Sequence, residues 1–365
     1  MSEIYFRARK QLRKIYVINL IGNLSLAGVA WVALLAARGF SMMEIMMAET
    51  VFHIVSIVAE IPSGMFADVF GRKRSLIVSC VCSISSAISM GFIDCYGGVL
   101  LSIAFSALSY NFCSGTDNAL AYDSLKEAGA VDEYENFSSM QTIIYRVGSS
   151  IASLCAGLAL LMGNRRAQLL SVGIATAQLF IILSMKENDV IVRKQALSYR
   201  ERLKDLIRQS VGFLRSNPNA SVIIFGNGFV GAIDVLLLFS LQSKLQDAGA
   251  NKLLLGPLLF VMYLGGVAGA LLSPRFRYAR FRRMFLVTAL MVISGAAAAL
   301  TGNLWIMTIG GIASAFADDI IQIRADVELN NMVPAEARAT LISVNSLCFS
   351  IIMIVMSPLA GIVFS

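Results

Sequence analysis

The sequence predicts an all-α polytopic membrane protein, and its composition, hydropathy and periodicity all support this fold class. Of its 365 residues, 57% are hydrophobic and only 15% are charged, whereas an average soluble domain has about 25% charged residues. The mean hydropathy is +0.73. Apolar stretches of about 20 residues recur along the whole chain, and that length crosses about 30 Å of hydrocarbon as a helix.

The charges and cysteines of the chain exclude several other classes of protein. The net charge of +7 lies mainly in loops between apolar stretches, which is typical of membrane topology and not of a nucleic-acid partner. The six cysteines lie within or at the ends of apolar stretches and form no C-x-x-C pair, so neither a disulfide framework nor a metal site is predicted. The apolar run over 15–37 is too long for a cleavable signal. The sequence indicates no cofactor.

Eleven membrane-spanning helices are predicted from the apolar stretches. If the N-terminus is cytoplasmic, most of the Lys and Arg fall in cytoplasmic segments. This bias predicts a multi-pass protein of the cell (inner) membrane with a cytoplasmic N-terminus. The predicted spans are 15–37, 42–67, 75–94, 97–121, 138–161, 167–185, 219–241, 252–273, 285–301, 304–324 and 340–365.

A cation-rich segment between spans six and seven separates two predicted domains. The N-terminal six-helix half covers 1–187, the cytoplasmic linker 188–217, and the C-terminal half 218–365. Apolar residues at helical spacing within the linker, with cations on other faces, predict an amphipathic helix on the inner membrane surface, near anionic lipid headgroups. A tether without a role of its own is the alternative. The apolar residues are Leu203, Leu206, Ile207, Val211 and Leu214, and the cations are Arg200, Arg202, Lys204 and Arg208.

A weak internal repeat supports a division into two related halves. Asn23 in the first span recurs as Asn227 in the seventh, and Asp117 in the fourth recurs as Asp319 in the tenth at nearly the same offset. Two related six-helix halves are common in secondary transporters. The same offset predicts a twelfth span beyond residue 365. The chain is therefore either truncated or an eleven-span variant, and the sequence leaves both open.

The loop between spans two and three has the most specific motif of the chain. Residues 64–74, here called the signature loop, read G-M-F-A-D-V-F-G-R-K-R. The pattern G-x-x-x-D-x-x-G-R-K-R resembles the signature loop of the major facilitator superfamily of secondary transporters, except that Val69 stands where the family usually has a basic residue. The segment 333–340 also resembles that family's entry to span eleven. The resemblance covers most of the chain and implies the two-halved superfamily fold.

The resemblance also implies that the signature loop is part of a conformational latch. In the family, this network holds the two halves together in the outward-open state. Gly64 has no side chain, so another helix can pack close to it. Asp68 can accept hydrogen bonds from a facing helix N-terminus. Arg72 and Arg74 can reach Asp123. The alternative is that these charges only set topology. The implied latch residues are Gly64, Asp68, Gly71, Arg72, Arg74 and Asp123.

Span two has a polar stripe at helical spacing. Glu49, His53, Ser56 and Glu60 follow one another at steps of four, three and four residues, so they fall on one face. Ionisable groups within a span are expensive and tend to mark function. His53 is the only histidine, and its ordinary pKa of about 6.5 suits a proton carrier. The alternatives are that Glu49 lies at the outer interface and that Glu60 pairs with an arginine.

Other polar groups within the spans are candidates for a central cavity. Arg146 in span five requires a counter-charge, for which Asp117 is the first choice and Glu60 the second; anion binding by Arg146 is the alternative. The resemblance implies that spans one, four, seven and ten line the cavity. The further candidates in these spans are Asn19, Asn23, Asn227, Asp234, Asp318, Asp319 and Arg324.

These features favour a monomeric secondary transporter that works by alternating access, coupled to protons. The segment from Arg38 to Gly64 resembles bacterial efflux-type members, which favours export of small organic, drug-like molecules. The glycine motif of drug antiporters in span five is matched only by Gly148 and Gly157, which weakens that reading. Uptake or uniport of a metabolite and a non-transporting sensor are the alternatives. An enzyme is not predicted, because one histidine cannot form H-E-x-x-H and no phosphate-binding glycine loop occurs.

Overall fold

A computed structural model describes residues 3–187, 199–276, 278–332 and 338–365. The linker residues 188–198 and most of the segment 333–340 therefore lie outside the described residues, as do the side chains of Arg200, Arg202 and Leu206. Over the described ranges, the chain forms α-helices and two short 3-10 turns, and no strand occurs there. The prediction of an all-α protein is confirmed.

The helices follow one another with short connections. In chain order they are α1 (Glu3–Asn23), α2 (Leu26–Val29), α3 (Trp31–Ala36), α4 (Met42–Phe70), α5 (Arg72–Phe92), α6 (Tyr96–Cys113), α7 (Thr116–Glu127), α8 (Tyr134–Leu154), α9 (Ala156–Met162), α10 (Asn164–Leu183), α11 (Tyr199–Ser216), α12 (Pro218–Asp247), α13 (Lys252–Leu272), α14 (Phe281–Ala298), α15 (Leu304–Met332) and α16 (Arg338–Val363).

Within the described ranges, nine helices are long and apolar enough to cross a membrane, or ten if the bent pair of α8 and α9 is one span. Eleven were predicted, and the first of them does not qualify. The stretch 15–37 is broken into α1, α2 and α3. The cause is local, because the hydroxyl of Ser25 accepts from the N–H of Gly28 at 3.3 Å and so begins a new helix. In addition, the first half of α1 is rich in cations.

The packing divides the chain into two compact units. The first unit comprises Met1–Trp31 and Ile54–Tyr199, and the second comprises Val32–His53 and Arg200–Ser365. The division falls inside α4, so the N-terminal part of span two packs with the second unit. The sequence-based domains 1–187, 188–217 and 218–365 remain a prediction, since they rest on the repeat and not on packing.

In the first unit, α1, α5, α7, α8 and α10 share one apolar core. Phe137 lies at its centre with 1% of its surface exposed, and the ring of Tyr16 stacks on it at 5.3 Å between centroids. Helices α5 and α6 pack through serines, since the hydroxyls of Ser79 and Ser102 donate to carbonyls of the facing helix at 2.8 Å. Small hydroxyl residues let helix backbones approach closely within a membrane.

In the second unit, glycines bring α13, α14 and α15 close to one another. A Cβ atom at Gly265 of α13 would lie 2.8 Å from the carbonyl oxygen of Ile312 in α15. A Cβ atom at Gly295 of α14 would lie 2.7 Å from the carbonyl oxygen of Gly310 in α15. This close packing holds α15 between its neighbours and so positions the side chains that α15 directs toward α12.

Candidate functional site

Helices α12 and α15, the predicted spans seven and ten, contact each other through paired polar side chains. The Nδ2 of Asn227 donates to Oε1 of Gln322 at 3.3 Å. About two turns further along α12, the hydroxyl of Ser314 donates to Oδ1 of Asp234 at 2.5 Å. Because the numbers rise on one helix as they fall on the other, the two helices run antiparallel in register. The sequence spacing allows this, since each set of residues falls on one helix face.

A glycine occupies the middle of this contact and makes room for a third pair. A Cβ atom at Gly231 would lie 2.8 Å from Nε2 of Gln322 and 3.6 Å from Oδ1 of Asp318. Asp318 therefore faces α12 directly. We call this set the polar ladder, and its members are Asn227, Gly231, Asp234, Ser314, Asp318 and Gln322.

Three buried polar atoms at or near the ladder have no hydrogen-bond partner among the described residues. They are Oδ1 of Asn227, Oδ1 of Asp318 and Nε of Arg324. The three residues are only 4%, 9% and 9% exposed, respectively. Leaving a buried polar group without a partner costs about 1–3 kcal/mol, so such groups commonly mark a place for water or a polar ligand. The ladder thus has the polar capacity of a binding site.

The carboxylates near the ladder also affect one another. Asp234 and Asp318 are only 5% and 9% exposed, and Asp319 directly follows Asp318 in α15. Asp319 points to a different neighbour, because a Cβ atom at Gly266 of α13 would lie 2.5 Å from its Oδ2. Two ionised carboxylates that are both removed from water repel each other strongly, and a proton on one of them removes the repulsion. The arrangement is therefore suited to holding a proton.

A second polar group of the second unit involves the only histidine. Nε2 of His53 lies 3.4 Å from Oε1 of Glu49, and Nδ1 lies 3.3 Å from the hydroxyl of Ser350 in α16. The rings of Phe52 and Phe349 contact the imidazole edge to face. The side chains of His53 and Glu49 are 9% and 12% exposed, so this pair is shielded from solvent.

The rest of the predicted stripe of span two has different surroundings. The hydroxyl of Ser56 accepts from Nδ2 of Asn111 in α6 at 3.1 Å, within the first unit. Glu60 is half-buried and has no hydrogen bond or ion pair with any side chain that the structure describes. The alternative that Glu60 pairs with an arginine is therefore not seen among the described residues.

In the first unit, a candidate of span one contacts a candidate of span four. Nδ2 of Asn19 donates to Oδ2 of Asp117 at 2.9 Å. Asp117 lies in the first turn of α7, directly after Gly115, which breaks span four with a φ of +71°. The backbone of span five packs on Asn23, since a Cβ atom at Gly148 would lie 2.7 Å from its Cβ. Arg146 is exposed, and its pairing with Asp117 stays a prediction.

The signature loop differs from the expected latch in its ion pairs. Arg72 lies 3.3 Å from Asp68, one turn earlier in the chain, and not beside the expected Asp123. Asp123 and Arg74 have no ion pair within the described ranges. Nothing in those ranges lies within 4 Å of a Cβ atom at Gly64, so the close packing expected at this glycine is not seen there.

Gly71 and a residue outside the motif define the local geometry of the loop. Gly71 has a φ of +103°, and a Cβ atom on it would lie 2.5 Å from the carboxyl carbon of Glu187. Oε1 of Glu187 accepts from the backbone N–H of Lys73 at 3.1 Å. A carboxylate at a helix N-terminus is favourable, so Glu187 stabilises the beginning of α5.

Sequence reasoning missed several of these residues. Ser314 could have been found, because it lies one helical turn before Asp318 on the same face. Gly231 could have been found by the same argument on α12. No sequence pattern marks Glu187 or Ser350, because each contacts a residue that is distant in sequence, Lys73 and His53 respectively.

The linker helix α11 presents two kinds of surface. Phe213 is buried against the core formed by α12, α15 and α16. Ile207 and Val211 are 50% and 40% exposed. Together with Leu203 they form an apolar strip that is flanked by Lys204, Arg208 and Arg215.

Comparison with known proteins gives one family and one partial relative. The model of the Major Facilitator Superfamily matches residues 15–358. An uncharacterized MFS-type transporter of Bacillus subtilis (strain 168), YxaM, is 31% identical over 86 residues. That match covers 24% of this chain and 22% of the relative, and so less than two thirds of the relative's length.

Solved transporter structures share the fold of the chain. A mutant of the nucleoside transporter NupG has a TM-score of 0.76 at 13% identity, covering 96% of this chain and 90% of that one. A bacterial homologue of the human lysosomal transporter Spinster, inward-facing and occupied, has a TM-score of 0.69 at 18% identity, covering 98% and 81%. A D-xylose–proton symporter has a TM-score of 0.68 at 12% identity, covering 94% and 88%. Identities this low reflect a shared fold only.

Proposed function

Because the chain belongs to the major facilitator superfamily of transporters, we propose that it moves a small organic molecule across the membrane in exchange with, or together with, protons. The observation that supports the coupling is the polar ladder, where Asp234 and Asp318 face each other's helices while both are buried. The solved structures that share its fold are also transporters, and no enzyme activity is proposed.

We assign the proton to Asp318 and the permanent charge to Asp234. Asp234 accepts a hydrogen bond from the hydroxyl of Ser314, which stabilises an ionised carboxylate. Oδ1 of Asp318 has no donor among the described groups. When Asp318 takes up a proton, its repulsion with Asp234 disappears, and when it releases the proton, a polar or cationic group of the substrate can replace it. Asn227 and Arg324 supply further polar atoms for that substrate.

The pair of Glu49 and His53 is the second candidate for proton movement. Its hydrogen-bonded link to Ser350 joins span two to α16. The imidazole thus lies between a carboxylate and a hydroxyl, an arrangement that suits proton transfer.

Alternating access requires a contact that differs between states, and Arg72 is suited to that role. In this structure it pairs with Asp68. The resemblance of the signature loop implies that Asp123 becomes a partner in the outward-open state. We propose that Arg72 exchanges Asp68 for Asp123 when the transporter changes state, with Gly64, Gly71 and Arg74 as supporting members of the latch.

Direction and cargo have two candidate answers. The sequence between Arg38 and Gly64 resembles efflux-type members and favours proton-driven export of drug-like molecules. Two fold relatives are a nucleoside transporter and a D-xylose–proton symporter, and this makes uptake of a small metabolite the second candidate. A nucleoside or sugar would satisfy the amide and carboxylate groups of the ladder, whereas a lipophilic cation would be attracted by its carboxylates.

The position of the chain in the membrane is also part of the proposal. We place it as a monomer in the cell (inner) membrane with a cytoplasmic N-terminus. The exposed apolar strip of α11 and its cations then lie on the inner leaflet, where anionic headgroups attract Lys and Arg by about 1 kcal/mol each.

Transport measurements in proteoliposomes test this function. The full-length protein is reconstituted with an internal pH dye, and nucleosides, sugars, amino acids and lipophilic cations are added in turn. We expect one class to move protons, and Asp318→Asn to abolish proton movement while substrate exchange at equal concentrations survives. Asp319→Asn tests the neighbouring carboxylate in the same assay.

The control is Asp326→Asn, which removes an exposed carboxylate of the same helix and should transport normally. The sign of the proton movement separates export from uptake. If Asp318→Asn still moves protons at the wild-type rate, the ladder is not the coupling site. If the wild type exchanges no class of compound, the hypothesis of a non-transporting sensor replaces that of a transporter.

A further inference from the structure

A cavity of about 510 Å³ lies in the first unit, whereas the polar ladder belongs to the second. The cavity is formed by the first half of α1 together with the C-terminal ends of α7 and α10. The charged residues that line it are four cations, Arg7, Lys10, Lys14 and Lys186, and two carboxylates, Glu127 and Glu187. We call it the cationic pocket, because its positive groups outnumber its negative ones.

A hydrogen bond holds Lys14 in place, but the pocket lysines form no ion pair among the described residues. Nζ of Lys14 donates to the carbonyl oxygen of Ser184 at 2.5 Å, which is a contact with the C-terminal end of α10. Arg7 pairs with Glu3. Among the described residues, no carboxylate forms an ion pair with Lys10, Lys14 or Lys186. Three ammonium groups therefore line the cavity without a direct ion pair among the described residues, although the carboxylates of Glu127 and Glu187 also line it.

The electrostatics of Lys14 reflect this excess of positive charge. Partial burial lowers the pKa of the Lys14 ammonium, and the charges of Lys10 and Lys73 lower it further. Lys73 is close because its Nζ donates to the carbonyl oxygen of Leu183 at 2.9 Å. Cations that repel one another gain most from an anion placed between them.

The wall of the pocket is also rigid. Nε2 of Gln11 donates to the carbonyl oxygen of Lys186 at 2.9 Å, and the N–H of Lys186 donates to Oε1 of Gln11 at 3.2 Å. Gln11 is 8% exposed, so this paired contact is shielded from water. It fixes the backbone of Lys186 against α1 before any ligand arrives, and a site prepared in this way loses less entropy on binding.

We propose that the cationic pocket binds a phosphate group, carried either by the headgroup of an anionic phospholipid or by a soluble phosphate compound. A phosphate has several strong acceptor oxygens and up to two negative charges, which suits a cavity that is lined by four cations and only two carboxylates. The cavity has room for the phosphate together with the group to which it is attached. Nothing in the transport function proposed above requires this site.

The occupant would influence the signature loop through Glu187. This residue lines the pocket and also accepts from the N–H of Lys73 at the beginning of α5. A phosphate beside Lys186 repels the Glu187 carboxylate and competes for the same cations. Binding therefore weakens the contact between Glu187 and α5 and loosens the loop at Gly71. This regulatory consequence rests on the latch role of the loop, whereas the binding itself does not.

Binding is tested on the full-length protein, purified in a neutral detergent and free of phosphate. One arm titrates inorganic phosphate and measures the thermal unfolding midpoint and equilibrium dialysis of radiolabelled phosphate. The other arm adds phosphatidylglycerol or phosphatidylcholine and counts bound lipids by native mass spectrometry. The variant Lys10→Gln/Lys186→Gln removes two pocket cations that make no side-chain hydrogen bond among the described groups. We expect it to bind the phosphate group about 20- to 30-fold more weakly, from about fivefold for each cation.

The matched control is Arg13→Gln/Lys126→Gln, which removes the same charge from exposed positions outside the pocket. Retention of phosphatidylglycerol, but not phosphatidylcholine, by the wild type and the control identifies a lipid headgroup as the source. Saturable binding of inorganic phosphate alone identifies a soluble source. Equal losses in both double variants, or no binding of either probe by the wild type, overturn the proposal. Phosphate-free unfolding midpoints show that both variants are folded.

Discussion

Gly71 is the residue at which the signature loop depends most directly on the absence of a side chain. Its φ of +103° lies in a region that L-residues rarely adopt, and Glu187 occupies the space where a Cβ atom would lie. We expect Gly71→Ala to destabilise the protein by about 1–3 kcal/mol. A lower thermal unfolding midpoint in detergent would show this.

The control for that change lies in the same motif. Gly64 is helical, and no described residue lies within 4 Å of a Cβ atom there. Gly64→Ala should therefore leave the midpoint unchanged or raise it, because alanine is favoured over glycine in a helix by about 1 kcal/mol. Equal losses in both variants would mean that the two glycines are required for the same reason, contrary to this structure.

Lys14 gives the cationic pocket a defined pH dependence. Its pKa lies below the ordinary 10.5 because of burial and of the neighbouring lysines. The unfolded chain therefore binds more protons at this position than the folded chain does between the two pKa values. Stability contributed by Lys14 consequently rises with pH through that window. Phosphate binding requires the charged form, so its affinity should fall as the pH rises through the lowered pKa.

The variant Lys14→Arg checks this assignment, because a guanidinium remains charged throughout the range. Equilibrium dialysis of phosphate between pH 7 and 10 should show the alkaline loss of affinity in the wild type and not in the variant. If both proteins lose affinity in parallel, another group is responsible for the loss.

Whether a candidate residue could be found from the sequence depended on where its partner lies. Polar residues at helical spacing within an apolar span can be recognised from the sequence. This applies to Asn227 and Asp234 in α12 and to Asp318 and Gln322 in α15. The two sets face each other because α12 and α15 pack antiparallel, and the spacing within each helix does not predict that contact. Arg72 shows the opposite case: the resemblance of the motif suggests Asp123 as its partner, whereas the structure pairs it with the nearer Asp68.

At the scale of whole helices, hydropathy located most of the spans but not their interruptions. The stretch 15–37 is apolar throughout, so a window average predicts one helix, yet Ser25 begins a new helix within it. Span four is interrupted at Gly115 and span five bends by 48° at Cys155. A local hydrogen bond at Ser25 and a positive φ at Gly115 decide the backbone there, and an average over about 20 residues detects neither feature.

The packing of α13 on α15 provides a prediction at this scale. The backbone of Gly265 lies so close to α15 that a Cβ atom on it would be 2.8 Å from the carbonyl oxygen of Ile312. Gly265→Ala should force the helices apart, at a cost of about 1–3 kcal/mol, and should also displace the ladder that α15 carries. Gly173→Ala in α10 is the control, since no described atom lies within 4 Å of its Cβ position.

The readout combines stability with function. We expect Gly265→Ala to lower both the unfolding midpoint and the rate of proton-coupled transport, whereas Gly173→Ala should preserve both. A Gly265→Ala protein of normal midpoint and normal transport would show that the helices are not in close contact at this position.

At the scale of the whole transporter, the two proposed partners of Arg72 should bias the protein in opposite directions. Removing Asp123 leaves the contact with Asp68 that this structure shows, so Asp123→Asn should favour the present state. Asp68→Asn removes that contact and should favour the alternative. Partly exposed ion pairs contribute about 0.2–1 kcal/mol, so each change should shift the ratio of states by about 1.4- to fivefold.

Distances between spin labels on spans four and ten, measured by pulsed electron resonance, report these populations. Arg13→Gln removes an exposed cation of α1 that is not a member of the latch, and should leave the wild-type ratio unchanged. The double variant Asp68→Asn/Asp123→Asn should return toward that ratio, because Arg72 then has neither partner. Shifts of the same sign in both single variants would mean that the two carboxylates do not compete for Arg72, and the latch would have to work through another cation.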